Sequence, residues 1–396
     1  MYEPNAKIRI EGTYYTNQTL VGAQIAYGKS DPSDTFRPAY ATATLVSDGS
    51  GIPVSILDDC IIFMEATTGD EPVFTGKVSD IQVNLVSPDW VETTLTLISP
   101  LAKLSHRLVG ASGYVEQFDG ERFEAIILDA SAIPWTEAGG IWSNFIGTWQ
   151  DLEDFIDVID TGDKTLAAYS SGEGNAFDFL SLAELSGMGH AYETRNGQFG
   201  YQSAGARVND FINAVDIASD DVIISGVASQ STTGEMRNET SVTTHTGNTQ
   251  TASNQLSIQT YGRTNKAVTT WLKHNAEALE WAERDVALYA FPRSYVTGFS
   301  TRLSAVDNAF ADTLIKMRMG LPVRIYGLPA AIASNPYAGY VEGWQWTIGK
   351  NDAEIQLFVS DYALSVVSQE WKNVPTNYAW NNINAALIWE SLEIIN

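Results

Sequence analysis

The chain has 396 residues and a mass of 43.2 kDa, room for two or three domains at roughly 150 residues each. Lys and Arg number 23 against 48 Asp and Glu, a net charge of −25, while 44% of residues are hydrophobic and 18% charged. That is a core-forming mixture with an acidic surface, which argues against a reader of nucleic acid and against a binder of anionic membranes.

The first hundred residues read as β-structure. Ile8 and Ile10 open an alternating stretch, followed by runs over 40–46, 61–65, 73–79, 81–86 and 91–98, with Gly, Pro, Asp and Ser between them. In the last run Val91, Leu95 and Leu97 share one face while Glu92, Thr94 and Thr96 share the other, as in an antiparallel sheet with one wet face. Leu101, Leu104 and Leu108 then fit one short helix. The single cysteine, Cys60, heads an apolar run (60–64) far too short to span a membrane. It reads as a buried, inert thiol of a chain folded in a reducing compartment. The start of the chain lacks the basic and apolar regions of a signal peptide, so no targeting segment is expected.

From about 111 the pattern is mixed. The spacing predicts helices over 118–130, 149–159 and 176–186, the last capped by Asn175 and stopped by Gly187. Asn196-Gly197 between alternating runs at 190–195 and 198–202 predicts a hairpin with a type I′ turn. Strands return at 222–225, 239–246 and 256–260. A helix over 274–290 follows, with Ala278, Trp281, Ala282 and Val286 inward, and then strands at 295–303, 322–326, 340–348 and 353–360. Beyond 361 an Asn-rich stretch carries Trp371, Trp380 and Trp389 at nine-residue intervals, which reads as an arm lying on a neighbour.

There is an internal echo. Phe74-Thr75-Gly76-Lys77-Val78 sits within a strand–turn–strand pattern that returns around Val341-Glu342-Gly343-Trp344-Gln345, which suggests two similar barrels around a mixed insert.

Chemistry is weakly signalled. The four histidines, His106, His190, His245 and His274, lack metal-site spacing, and no nucleophile-elbow motif accompanies the lone cysteine. Gly172-Glu173-Gly174 imitates half a dinucleotide fingerprint, but Phe177 occupies the third glycine position and a helix cap is the better account. Paired acids such as Asp154/Asp157 and Glu280/Glu283 are helix neighbours on a solvated face rather than a glycosidase pair. No catalytic, metal or cofactor site is expected.

Four stretches in order resemble the tail (baseplate) hub proteins of long-tailed bacteriophages, known in phages of actinobacteria as minor tail proteins. They are 73–80 with 94–104; 176–189 with 190–199; 257–263 leading to the helix and Pro292-Arg293; and 321–325 with 340–344. The resemblance implies a mainly β fold with α insertions. Two similar antiparallel barrel domains (1–110 and 221–365) would flank a mixed insert (111–220), followed by an extended arm (366–396). Phe74, Gly76, Gly343 and Trp344 would mark the barrel strands and turns, and Trp371, Trp380 and Trp389 would dock partners. The implied role is structural: a homotrimeric ring in the virion tail tip, assembled in the host cytoplasm. It would contact distal tail, tape-measure and tip or receptor-binding proteins. DNA would pass through an acidic bore without being specifically bound, and no part of the chain would enter a membrane. A carbohydrate- or receptor-binding tip protein is the alternative, and a cell-wall hydrolase a more distant one.

Overall fold

The computed structural model describes residues 2–362 apart from 17–18, 31–35, 132–155, 211–212, 219–224, 232–233, 293, 331, 333–335 and 351. The arm at 366–396 and residues 149–155 of the helix expected over 149–159 lie outside the described residues, and the remainder of that expected helix, Ile156–Ile159, is a strand instead.

Alternating apolar residues build seven strands at the start: β1 (Ala6–Ile10), β2 (Thr13–Tyr15), β3 (Leu20–Gly28), β4 (Tyr40–Asp48), β5 (Asp59–Ala66), β6 (Gly69–Ser87) and β7 (Trp90–Ile98). The runs expected at 73–79 and 81–86 are one strand, β6, interrupted by a single-residue bulge at Ser79. Helix α1 (Pro100–Leu104) is shorter than the leucine spacing suggests. Leu101 and Leu104 are buried under it, while Leu108 leaves the helix and is exposed.

The insert carries β8 (Leu108–Val109), β9 (Gln117–Phe118), α2 (Asp119–Ser131), β10 (Ile156–Ile159), β11 (Thr165–Leu166), β12 (Gly174–Asn175), α3 (Ala176–Gly187), β13 (His190–Glu193), β14 (Phe199–Gln202) and α4 (Ala204–Asp210). Asn175 caps α3 by accepting the Phe177 N–H, as the sequence suggests, but the helix runs through Gly187 and the left-handed residue is Met188. The hairpin β13–β14 forms where expected. Its turn differs: of Asn196 and Gly197 only the glycine has positive φ, and the Gly197 N–H donates to the Thr194 carbonyl (2.8 Å). This is a longer loop built on a type I turn rather than a two-residue type I′ turn.

Next come β15 (Val215–Ala218), β16 (Ser225–Ser231), β17 (Glu239–Thr243), β18 (Thr249–Ser253), α5 (Gln255–Tyr261), β19 (Asn265–Thr269) and α6 (Asn275–Tyr289). The strand expected at 256–260 is helix α5. Asn254 caps it through the Ser257 N–H, and Leu256, whose alternation with Ile258 suggested a strand, lies on an open surface. The chain ends its described course with β20 (Ser294–Arg302), α7 (Asn308–Ile315), β21 (Pro322–Tyr326), β22 (Tyr337–Gly349) and β23 (Ala353–Asp361).

The fold is mainly β with helical insertions, and the internal echo is a true topological repeat. In the first unit the strands lie in the order β3-β4-β7-β6-β5-β1. In the second the order is β16-β20-β23-β22-β21-β15, the same sequence of first to sixth strand. One difference is direction: β1 is antiparallel to β5, whereas β15 enters from the insert and runs parallel to β21. The units join because β22 also pairs β3, from Gly343↔Gly28 to Gly349↔Gly22, giving one 13-stranded sheet among the described residues. Ile8, Ile25, Leu45 and Phe74 share a single core with Val296, Ile325, Trp344 and Ile355. A second core gathers Phe123, Ile126, Leu180 and Tyr201 of the insert with Val242, Trp271 and Trp281, so the small sheet β18-β17-β19 and the long helix α6 pack with the insert.

Candidate functional site

Two of the four residues marked in the sequence as barrel motif meet at one ring. Phe74 on β6 and Trp344 on β22 both pack on Tyr27 of β3, with ring centroids 5.8 and 5.5 Å away. Gly343 faces Gly28 of β3 across the junction, and Gly76 lies on β6 against the Ile98 backbone. All four are strand residues. Trp371, Trp380 and Trp389 lie outside the described residues.

The joint between sheet and insert is polar and buried. A one-residue bulge at Glu342 separates the pairs Val341↔Val359 and Gly343↔Phe358. Bulges re-aim side chains, and here the carboxylate points into the interface. Arg207 of α4 approaches it at 2.6 Å, His190 of β13 at 3.2 Å through Nδ1, and Ser360 donates its hydroxyl. The Arg207 guanidinium stacks 4.6 Å from the Tyr340 ring, whose hydroxyl donates to the Arg207 carbonyl (2.6 Å). Lys29 pairs with Glu184 of α3 at 2.7 Å, and Glu184 also accepts the Ala191 N–H. Nearby, Glu193 accepts backbone N–H groups from Ala39 (3.2 Å) and Leu101 (3.1 Å), tying the hairpin to the end of the sheet. Burial pushes Glu193 up to about 7 against the pull of those hydrogen bonds.

Burial alone would raise the Glu342 carboxyl, but Arg207, His190 and Lys29 outweigh it and hold it at about 2. Burial pushes His190 down to about 3, reinforced by Arg207 and Lys29, so at neutral pH the imidazole is neutral and donates from Nδ1. Both folded values lie below the ordinary 4.5 and 6.5, so the unfolded chain binds more protons and acid destabilises. Glu193, raised above its ordinary 4.5, acts oppositely between about 4.5 and 7. The expected result is a small change in the urea midpoint between pH 7 and 5 and a much steeper fall between pH 5 and 3. A flat midpoint across the lower interval would show that these groups are not held as described.

This cluster was not legible in the sequence, because its members run from Lys29 to Ser360 and each looks like an ordinary polar residue. Its charged groups pair with one another, with His190 Nε2 and Arg207 Nε left without partners, so it locks two parts of the chain together. Among the described residues no set of three or more His, Cys, Asp or Glu is placed to hold a metal.

The conspicuous surface feature is the far end of the β6–β7 hairpin, where Val83, Leu85, Val86 and Trp90 are each more than half exposed. A groove of about 300 Å³ beside it is lined by Ile52, Val54, Ile81, Val83 and Val91. Contiguous exposed apolar side chains of this kind mark contact surfaces.

No protein-family model matches the chain and no curated protein sequence matches it. Its three-dimensional relatives are informative. A tail protein from Neisseria meningitidis superposes with a TM-score of 0.61 at 10% identity, over 92% of this chain and 98% of that one. The 43 kDa tail protein of prophage MuSo2 from Shewanella oneidensis superposes with a TM-score of 0.59 at 8% identity, over 91% and 99%. The chain has the fold of these tail proteins almost end to end, in agreement with the resemblance read from the order of its sequence motifs.

Proposed function

We propose that the chain is a structural component of a phage tail tip or baseplate, a hub whose copies form a ring between the tail tube and the tip proteins. The observation that carries this reading is the internal repeat: two six-strand units with one strand order, fused in a single sheet. Three such chains would offer six near-equivalent units to a sixfold tube above and a threefold set of contacts to a tip below. The shared fold with tail proteins supports the same assignment.

The net charge of −25 suits a ring traversed by DNA, since acidic walls repel phosphates and leave the path non-adhesive. Residues 1–110 together with 215–231 and 294–361 would supply the ring, and the rest of the insert together with 239–289, which share one core, would form a flanking lobe. The arm at 366–396, with Trp371, Trp380 and Trp389, would dock a distal tail, tape-measure or tip protein through buried aromatic anchors. The reading assigns the chain no turnover chemistry.

Light scattering on the purified chain, with negative-stain imaging, tests the proposal. The expected result is a particle of three chain masses with a central opening. A particle that stays at one chain mass up to millimolar concentration would overturn the ring.

A further inference from the structure

Each repeat unit has an edge that the other unit's topology identifies. Strand registers align the two units residue by residue. In the first, one row across the sheet reads Asp80–Thr96–Thr42–Gln24. In the second the corresponding row reads Gly343–Phe358–Gly298–Ala228. Both rows begin one residue past the bulge, Ser79 in β6 and Glu342 in β22. Gly343 therefore corresponds to Asp80, four residues beyond the Gly76 with which the sequence echo paired it. Ile81-Gln82-Val83-Asn84-Leu85 then matches Trp344-Gln345-Trp346-Thr347-Ile348, apolar for apolar and polar for polar.

The two matched segments differ in what covers them. Gly343–Gly349 is paired along its open edge by β3, and Trp344, Trp346 and Ile348 are 2–3% exposed. Asp80–Val86 has no strand on the corresponding edge among the described residues, and Val83 and Leu85 are 61% and 75% exposed. At the other end of the strand path, β16 is the counterpart of β3, and its outer edge also pairs no strand among the described residues. The chain thus carries both halves of the β22–β3 junction a second time, unjoined.

We infer that β16 of one copy adds antiparallel to the Asp80–Val86 edge of β6 in the next copy, repeating between chains the junction that β22 and β3 make within one. The occupant is a second copy of this chain because the complementary strand, β16, belongs to this chain and its counterpart β3 already makes the equivalent junction. Main-chain hydrogen bonds supply the pairing, and the exposed Val83 and Leu85 supply the apolar contact that Trp346 and Ile348 make internally. Such a contact is head-to-tail, so it closes into a ring when the rotation permits. The inference rests on the ring reading above and adds which strands join and in what register.

That register is specific. Thr347 faces Gln24 within the chain, so Asn84 is expected to face Ala228 of the neighbour. Asn84→Cys and Ala228→Cys are prepared as separate full-length proteins, mixed, oxidised and run without reductant. The native Cys60 is fully buried, with its thiol pushed up to about 12, and stays out of the reaction. A cross-linked dimer that forms only in the mixture, at concentrations where light scattering gives a multimer, supports the junction. A multimer without that cross-link, or one cross-linked by Asn84→Cys alone, overturns the junction and leaves the ring standing. A protein monomeric throughout overturns both. Leu85→Glu provides the second arm: an unchanged thermal midpoint with the multimer lost is expected, and an undisturbed multimer counts against the inference.

Discussion

Glu342→Ala is expected to cost about 3–5 kcal/mol of unfolding free energy, the usual penalty for removing one partner of a buried ion pair. Glu342 is 3% exposed and receives Arg207 at 2.6 Å and His190 at 3.2 Å, with the Ser360 hydroxyl on the same oxygen as Arg207. Truncation leaves the Arg207 guanidinium without its carboxylate partner, stacked on Tyr340, and it strands His190, whose Nε2 already has no partner. Glu342→Gln keeps the shape and some hydrogen bonds but not the charge, so it falls between the wild type and the alanine variant. The double variant Glu342→Leu with Arg207→Met removes both charges and recovers part of the loss. Urea unfolding of the three variants checks this, and a loss below about 1 kcal/mol for Glu342→Ala would mean that Arg207 finds another partner. Because the cluster bridges sheet and insert, tryptophan fluorescence, to which Trp271 and Trp281 of the insert core and Trp344 and Trp346 of the sheet core contribute, follows the loss of both cores.

Much of the great sheet was legible because half-buried strands alternate. The run Val91 to Ile98 was read correctly, and 322–326 coincides with β21. The caps at Asn175 and the helix over 274–290 were legible for the same local reasons. What failed has more than one cause. Strand β3 (Leu20–Gly28), which joins the two units, was not recognised, because Gly22, Ala23, Ala26 and Gly28 interrupt its apolar pattern with small residues. Those small residues are there to let β22 approach, a requirement set by a partner more than three hundred residues away. The short run 256–260 failed in the opposite sense: its alternation was real, but Asn254 at its start decided for a helix. The charged joint left no trace in spacing, since burial of Glu342 follows from a bulge that only the assembled register reveals.

The junction itself makes the second large prediction. Gly28 ends β3 with φ of +71°, and a Cβ placed there would meet the Glu342 carbonyl, the Gly343 Cα at 2.8 Å and Met319 Cε at 2.6 Å. Two of those three neighbours are backbone atoms of the strand it pairs with, so they cannot step aside without breaking the Lys29 N–H to Glu342 carbonyl hydrogen bond (2.9 Å). Gly28→Ala is therefore charged twice: about 1–2 kcal/mol for the left-handed backbone and about 1–3 kcal/mol for overpacking. Gly12 separates the two. Its φ is +84°, with nothing within 4 Å of an added Cβ, so Gly12→Ala bears only the first cost. The expected order in denaturant midpoint is wild type, then Gly12→Ala, then Gly28→Ala well below. If the two alanine variants lose the same stability, close approach at the junction is not what selects glycine there. Gly28→Ala also disturbs the carbonyl next to the Glu342 carboxylate, so its loss should be less than additive with that of Glu342→Ala, as for groups sharing one contact. Independent, fully additive losses would mean that the strand junction and the charge cluster are separate devices, whereas coupling would make the bulge at Glu342 the single point through which the two repeat units and the insert are held together.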